Sequence, residues 1–154
     1  NNPQIDPCSL FDMILPLVNA KIKQKKWCGC GTNMVTFDID GKEYPCQLFL
    51  PSAMPKEKSW ININFSDNQD FSDEKCDSCV IKNICPTCYG ANLITNNDIK
   101  KRDKNLCELY KILALANSYL KGIMIEKGII NLDNNKDTYN IIRAIKRIQT
   151  KIIN

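Results

Sequence analysis

Two stretches near the end of the chain repeat apolar residues at the spacing of an amphipathic helix. The first begins at Lys104, carries Cys107 in its first turn and ends before Gly128, a favourable C-cap. Its apolar stripe consists of Leu106, Leu109, Tyr110, Leu113, Ala116, Leu120 and Met124. The second runs from about Lys136 to Ile153, with Ile141, Ile142, Ile145, Ile148 and Ile152 facing inward and a basic face of Lys136, Arg143, Lys146, Arg147 and Lys151. Such a basic face is ordinarily a surface exposed to solvent. A docking site for a peptide or a domain is the more specific alternative.

A third amphipathic helix is predicted at the start of the chain. Asp6-Pro7 is a good helix start, and Pro16 is expected to kink the helix. Its apolar stripe consists of Cys8, Phe11, Leu15, Val18 and Ile22. We therefore interpret Cys8 as a buried core thiol.

Alternating residues on both sides of Asp40-Gly41 predict a β-hairpin. Asp-Gly between two such runs is the signal of a two-residue type I′ turn joining residues 35–39 to 42–49. That turn sets Ile39 opposite Lys42, Phe37 opposite Tyr44 and Val35 opposite Cys46. Cys46 would then emerge from an apolar face, on a return strand that Pro45 makes an edge strand.

Two further segments are polar. We interpret residues 51–73 as linker-like, with a short strand at 61–63, and residues 95–103 as a polar loop.

Four cysteines lie within thirteen residues: Cys76, Cys79, Cys85 and Cys88. A C-x-x-C turn directs both sulfurs at one centre, which suits a tetrahedral metal ion or an iron–sulfur cluster. The spacing differs from that of the bacterial two-cluster ferredoxins. It predicts a metal site and leaves zinc and iron open.

Composition narrows the chemistry of this site. The 154 residues include no histidine, which excludes mixed cysteine–histidine zinc sites and imidazole catalysis. The formal charge of +4 is too small to indicate a nucleic-acid partner by itself, and we expect none. No apolar run is long enough for a membrane span. Because Asn1 is not an initiator Met and begins no signal segment, we expect a cytoplasmic fragment of a longer protein, with reduced thiols.

Eight of the nine cysteines lie between Cys28 and Cys107. Eight divides into two sets of four, the number that a [4Fe–4S] cluster or an all-thiolate zinc site requires, and Cys8 is left over. A zinc-binding interaction module with four-thiolate sites and a secreted disulfide domain are the alternatives. Colour separates iron from zinc, and thiol titration identifies disulfides.

The positions of these eight cysteines resemble those of the SPASM domain, the C-terminal module of radical S-adenosylmethionine enzymes that modify ribosomally made peptides and proteins. The resemblance covers Trp27 to about Leu120. It rests on Cys28-Gly29-Cys30-Gly31, on Gly41 four residues before Cys46, and on Cys76, Cys79, Cys85, Cys88 and Cys107.

The resemblance implies two auxiliary [4Fe–4S] clusters with interleaved ligands. The first would be held by Cys28, Cys30, Cys46 and Cys88, and the second by Cys76, Cys79, Cys85 and Cys107. The implied role is electron transfer or substrate positioning beside a radical SAM barrel of the same protein. The implied partners are that barrel, a peptide or protein substrate and an external electron donor or acceptor.

Two features depart from the family pattern, and a motif of the full-length enzymes is missing. Only Pro86-Thr87 separates Cys85 from Cys88, where the family usually has three residues. A subset of the family with a Cys-Pro-Thr-Cys-Tyr-Gly-x-Asn segment has this shorter gap, and Asn92 matches the Asn of that segment. Cys28 and Cys30 are unusually close, and if only one binds, the first cluster has an open iron. The C-x3-C-x2-C triad of the SAM-cleaving cluster is absent. We therefore expect an accessory domain, with S-adenosylmethionine bound only by the full-length enzyme.

The expected fold class is α+β: a small β-hairpin and a cysteine-rich irregular region around two iron–sulfur clusters, followed by C-terminal α-helices. The expected division is a connector helix at residues 1–26, a SPASM-like domain at 27–127 and a C-terminal amphipathic helix at 128–154. No membrane contact is expected.

Overall fold

The computed structural model of the chain describes residues 28–66, 70–129 and 136–153. Within them, strands β1 (Thr36–Phe37) and β2 (Glu43–Tyr44) form one antiparallel sheet. Three α-helices follow: α1 (Tyr89–Asn96), α2 (Lys104–Glu126) and α3 (Lys136–Ile153). This is a small α+β fold, as the sequence predicts. The helix predicted from Asp6 and its Cys8 lie outside the described residues.

The chain divides into two compact units, each built from separate stretches of sequence. Among the described residues, the unit that we call the hairpin unit contains 28–66, 70–77 and 86–107. The helical unit contains 78–85, 108–129 and 136–153. None of the helices that the structure describes combines the length and apolar character that a bilayer crossing needs. The domain boundaries drawn from the sequence stay a prediction.

The hairpin forms where it is predicted, but its register is shifted by one residue. Thr36 pairs with Tyr44 and Phe37 with Glu43, so the predicted pairing of Phe37 with Tyr44 is wrong. The turn is a three-residue loop: Gly41 N–H donates to the Asp38 carbonyl, and Gly41 has φ +77°. A one-residue shift exchanges the two faces of a strand. Phe37 is consequently 59% exposed and does not share a face with Cys46.

The side chain of Asp38 explains why the three-residue loop forms instead of the predicted two-residue turn. Its carboxylate accepts hydrogen bonds from the backbone N–H of Asp40 at 3.0 Å and of Lys42 at 2.9 Å, and from the Tyr44 hydroxyl at 3.0 Å. Such an Asx turn fixes the loop one residue earlier than a type I′ turn at Asp40-Gly41 would. The Lys42 N–H is the main reason that the pKa of Asp38 is lowered. The return strand also ends early, because Gln47–Phe49 forms a short 3-10 helix.

The segment interpreted as a linker contributes to the core of the hairpin unit. Met54, Phe65 and Phe71 are buried, and no strand forms at 61–63. Successive ring contacts, with centroids 5.1 to 5.9 Å apart, connect Tyr44, Trp60, Phe49, Phe65, Phe71 and Tyr89. Widely spaced aromatic residues have no periodicity, which is why the sequence pattern does not reveal this core.

In the helical unit, α3 buries the predicted face. Ile141, Ile145 and Ile148 are buried, and Ile148 packs with Ile81, Ile84 and Ala114. Helix α2 has the predicted bounds and cap: Gly128 has φ +67°, and its N–H donates to the Ile125 carbonyl.

The apolar stripe of α2 is half-buried or exposed, and the buried residues of the helix are Ala114, Asn117, Ser118 and Lys121. Asn117 donates to the Leu113 carbonyl at 2.8 Å and Ser118 to the Leu115 carbonyl at 2.7 Å, so these buried polar groups are satisfied inside the helix. Leu109 and Leu120 remain 46% and 45% exposed.

Candidate metal centre

The Gly29 carbonyl group accepts most of the backbone hydrogen bonds that close the loop carrying Cys28 and Cys30. The Gly29 oxygen accepts hydrogen bonds from the N–H groups of Thr32, Asn33 and Met34 at 3.0, 2.8 and 2.8 Å. Gly31 has φ +71°, a conformation that L side chains adopt only at a cost. The two cysteines therefore lie on a tight turn whose shape depends on the glycines between and after them.

Gly31 also connects this loop to the hairpin. Its N–H donates to the Pro45 carbonyl at 3.0 Å, so the loop lies beside the residue that precedes Cys46. A Cβ atom at Gly31 would lie 2.5 Å from Cβ and Cγ of Phe65. Only glycine satisfies both the backbone angle and the close approach of this aromatic ring.

Cys30 and Cys46 form a hydrogen-bonded thiol pair. They are 1% and 6% exposed, and both belong to the core of the hairpin unit. The hydrogen bond from the Cys30 thiol lowers the pKa of Cys46 to about 6, with burial opposing the shift and the N–H groups of Leu48 and Phe49 assisting it. Cys46 precedes the 3-10 helix Gln47–Phe49, and N–H groups at the start of a helix favour a thiolate.

Cys88 reaches the same region as the residue that precedes α1. Gly90 lies so close to Leu48 that a Cβ atom there would be 2.5 Å from the Leu48 Cβ, which brings the start of α1 against the 3-10 helix. Burial raises the pKa of Cys88, as do negative charges at Cys46 and Cys28, whereas the N–H groups of Ala91 and Gly90 lower it. Cys88 therefore interacts electrostatically with both Cys46 and Cys28.

All four cysteines that the resemblance assigns to the first cluster lie in the hairpin unit, and their convergence on one cluster stays a prediction. Cys30 bonds to Cys46, and Cys88 feels the charges of Cys46 and Cys28. None of the four forms a disulfide within the described part of the chain, and Cys28 packs against the same buried core. Because buried thiolates repel one another, a full set of four ionises together only when cations neutralise them.

The donor set fits an iron–sulfur cluster in kind and number: four thiols, two of them buried, approached by backbone N–H groups. Among residues 28–66, 70–129 and 136–153, no three His, Cys, Asp or Glu side chains are arranged to hold a metal ion. Around a single zinc ion, four sulfurs lie about 2.3 Å from one point. In a cubane each thiolate binds a different iron atom, so its four sulfurs are spaced more widely.

The four cysteines assigned to the second cluster are divided between the units. Cys76 and Cys107 belong to the hairpin unit, and Cys79 and Cys85 to the helical unit. The Cys107 N–H donates to the Asp103 carbonyl at 3.0 Å in the first turn of α2. Cys79 and Cys85 pack against buried Ile81 and Ile84. Among the described residues none of the four forms a disulfide; all are partly exposed, and their convergence on a second cluster stays a prediction.

Asn92 has a structural role that its match to the short-gap segment does not reveal. Its side chain is 1% exposed, donates to the Ile99 carbonyl at 3.0 Å and accepts the Asp103 N–H at 3.0 Å. Asn92 therefore joins α1 to the start of α2 across the intervening loop. Helix α1 itself is missing from the sequence prediction, and part of it occupies the segment interpreted as a polar loop, which instead covers residues 97–103.

Comparison of the chain with family models, with curated proteins and with solved structures found no match.

Proposed function

We propose that this chain is an iron–sulfur-cluster-binding accessory domain of a cytoplasmic radical SAM enzyme that modifies a ribosomally made peptide or protein. The eight-cysteine pattern, which resembles that of the SPASM domain, supplies the enzyme class. The observation that supports the proposal is that Cys28, Cys30, Cys46 and Cys88 lie in one compact unit, with Cys30 and Cys46 in its buried core. These cysteines come from three separate stretches of sequence, and they are the set that the resemblance assigns to one cluster.

Packing around these thiols supports a cluster with limited access to water. Cys30 and Cys46 are buried, together with Tyr44, Phe49 and Phe65. Burial and N–H groups directed at the ligand sulfurs are the means by which proteins tune cluster potentials. The Leu48, Phe49, Gly90 and Ala91 amides are the candidates for that role here.

In this proposal, Cys28, Cys30, Cys46 and Cys88 hold the first [4Fe–4S] cluster, and Cys76, Cys79, Cys85 and Cys107 hold the second. When bound, such clusters supply one-electron transfer. The chain's own contribution is to fix eight thiolates, to exclude water from the first site and to position substrate beside the barrel of the same protein. The hairpin and the cysteine-rich region then surround the two clusters.

Competitive metal loading tests the proposal. Reduced chain is incubated anaerobically with ferrous iron, sulfide and an equal amount of zinc, then desalted and analysed for both metals and for visible absorption. The proposal predicts brown protein with charge-transfer absorption and iron in excess over zinc. Colourless protein with stoichiometric zinc and no iron would instead establish the zinc-binding interaction module.

A further inference from the structure

The exposed side of α3 carries a row of positive charges between residues 143 and 151. Arg143, Lys146, Arg147 and Lys151 are all exposed, and residues 139–153 contain no Asp or Glu. None of the four cations forms an ion pair within the described part of the chain. Separated by three, one and four positions along the chain, they lie on one side of the helix and span about 12 Å along its axis.

The opposite side of α3 is already occupied. Ile141, Ile145 and Ile148 are 7%, 6% and 0% exposed, and they pack inside the helical unit against Ile125 and Ile84, among others. A basic amphipathic helix that binds a membrane or enters a groove on another protein uses its apolar face for that contact. Here most of that face is taken up by the chain's own core, which leaves the charged face exposed to a partner.

At one end of this row, the contact between Tyr139 and Arg143 orients the guanidinium group for binding a carboxylate. Tyr139 is 63% exposed, and the Arg143 guanidinium lies 5.7 Å from the centre of its ring. Stacking on an aromatic face holds the guanidinium plane while leaving its edge N–H groups free to form two parallel bonds to a carboxylate.

We infer that this basic face of α3 binds an acidic segment of a peptide, and, resting on the proposed function, that the segment belongs to the substrate. Because this face is positively charged, its partner is an anion, and the size of the charged patch indicates that the anion is a peptide. A length of about 12 Å matches three or four residues of extended chain. Nucleic-acid sites commonly neutralise about six to ten phosphates, more than four cations can provide.

The probe is a short fluorescein-labelled peptide of alternating Glu and Ser, titrated with the 154-residue chain and followed by fluorescence anisotropy. The matching Lys/Ser peptide and a labelled oligothymidylate of equal charge are titrated in parallel. We expect binding of the Glu/Ser peptide only, weakened about tenfold or more between 50 and 500 mM salt because exposed charge pairs are screened. Tighter binding of the oligothymidylate would overturn the peptide assignment in favour of nucleic acid.

A matched pair of charge-reversal variants locates the site. The test variant is Lys146→Glu, Arg147→Glu and Lys151→Glu; the control is Lys56→Glu, Lys100→Glu and Lys101→Glu, three exposed residues of the hairpin unit. Each variant changes the net charge by the same amount, from +4 to −2. We expect the test variant to weaken binding at least tenfold and the control less than threefold. Equal losses in both, or no loss in the test variant, would overturn the inference.

Two further measurements separate misfolding and failure of the proposed function from failure of this inference. The variant Lys146→Gln, Arg147→Gln and Lys151→Gln replaces the three charges with polar, uncharged side chains that are compatible with a helix. It should also lose peptide binding, while its helical circular dichroism stays unchanged. Iron content is measured on every variant. Peptide binding by a chain that takes up no iron would contradict the proposed function but not peptide docking on α3. Iron uptake without α3-dependent peptide binding would contradict peptide docking on α3 but not the proposed function.

Discussion

The backbone N–H of Gly31 donates to the carbonyl oxygen of Pro45 at 3.0 Å, and this bond joins two cysteine-bearing segments. Cys30 precedes the donor, and Cys46 follows the acceptor. The Cys30 thiol in turn donates to Cys46. The geometry of the candidate first cluster therefore depends on a backbone conformation as well as on the cysteines themselves.

Gly31→Ala tests that dependence. Alanine at φ +71° costs about 1 to 2 kcal/mol, and the Phe65 ring, 2.5 Å from the new Cβ, must also move. We expect a larger loss of unfolding free energy than for Gly41→Ala, and reduced iron loading. Gly41 is the matched control, because it has φ +77° with nothing within 4 Å of a Cβ atom. Equal stability and iron content in both variants, measured by denaturant titration and iron assay, would show that the Gly31 contacts do not matter.

Local pattern predicts some elements of this fold well and others poorly. Helix α3 and the C-cap of α2 follow from apolar spacing and from Gly128, because each is decided by residues within a few turns. The register of the hairpin depends on whether the Asp38 carboxylate or the Asp-Gly pair controls the turn, a competition that spacing alone does not resolve.

The candidate site shows the same division. The resemblance assigns Cys28, Cys30, Cys46 and Cys88 to one cluster, and all four lie in the hairpin unit. It does not indicate what holds them there. The contact between Gly90 and Leu48 joins residues 42 positions apart in sequence, and no local periodicity encodes such a contact.

Asn92→Ala should destabilise the hairpin unit. The substitution removes one hydrogen bond to the Ile99 carbonyl and one from the Asp103 N–H in a site where the side chain is 1% exposed. Leaving these backbone groups unsatisfied is expected to cost about 2 to 4 kcal/mol in denaturant unfolding. Asn96→Ala is the control: Asn96 also bonds to a carbonyl, that of Lys101, but is exposed, and its loss should cost about 0.5 kcal/mol or less. Comparable losses of unfolding free energy in the two variants would mean that the buried Asn92 hydrogen bonds contribute no more than an exposed one.

Asp103 should give the fold a dependence on acid pH. The Leu106 N–H, which donates to its carboxylate at 2.8 Å, and the Thr95 hydroxyl lower the pKa of Asp103 below 3.8. The charged form is therefore favoured in the folded state. Its stabilising contribution is complete above pH 3.8 and is lost as the pH falls through the lowered folded-state pKa.

Asp103→Asn isolates this effect, because asparagine is an equally good N-cap but does not titrate. The stability of the reduced wild-type chain relative to this variant should be constant between pH 5 and 7 and should decline below pH 4. A difference that stays constant down to pH 2.5 would mean that the Asp103 pKa is not lowered by folding.

The chain alone should not cleave S-adenosylmethionine, even with both clusters filled. Reductive cleavage needs an iron with free coordination positions and a pocket that orients the sulfonium toward it. The C-x3-C-x2-C triad that leaves such an iron free is absent from this sequence. Incubation with dithionite and S-adenosylmethionine should yield no 5′-deoxyadenosine above the no-protein control. Product that scales with chain concentration would show that the chain is an enzyme in its own right.

Iron and acid-labile sulfide per chain, measured after anaerobic reconstitution of wild type and three cysteine variants, test the central claim most directly. Two four-thiolate sets predict about eight of each in the wild type. Cys46→Ala and Cys107→Ala should each lower both values by about four, because each removes a ligand of one cluster, and Cys8→Ala should change neither. Stoichiometric zinc without iron, or a large iron loss on removing Cys8 with none on removing Cys46, would contradict the account.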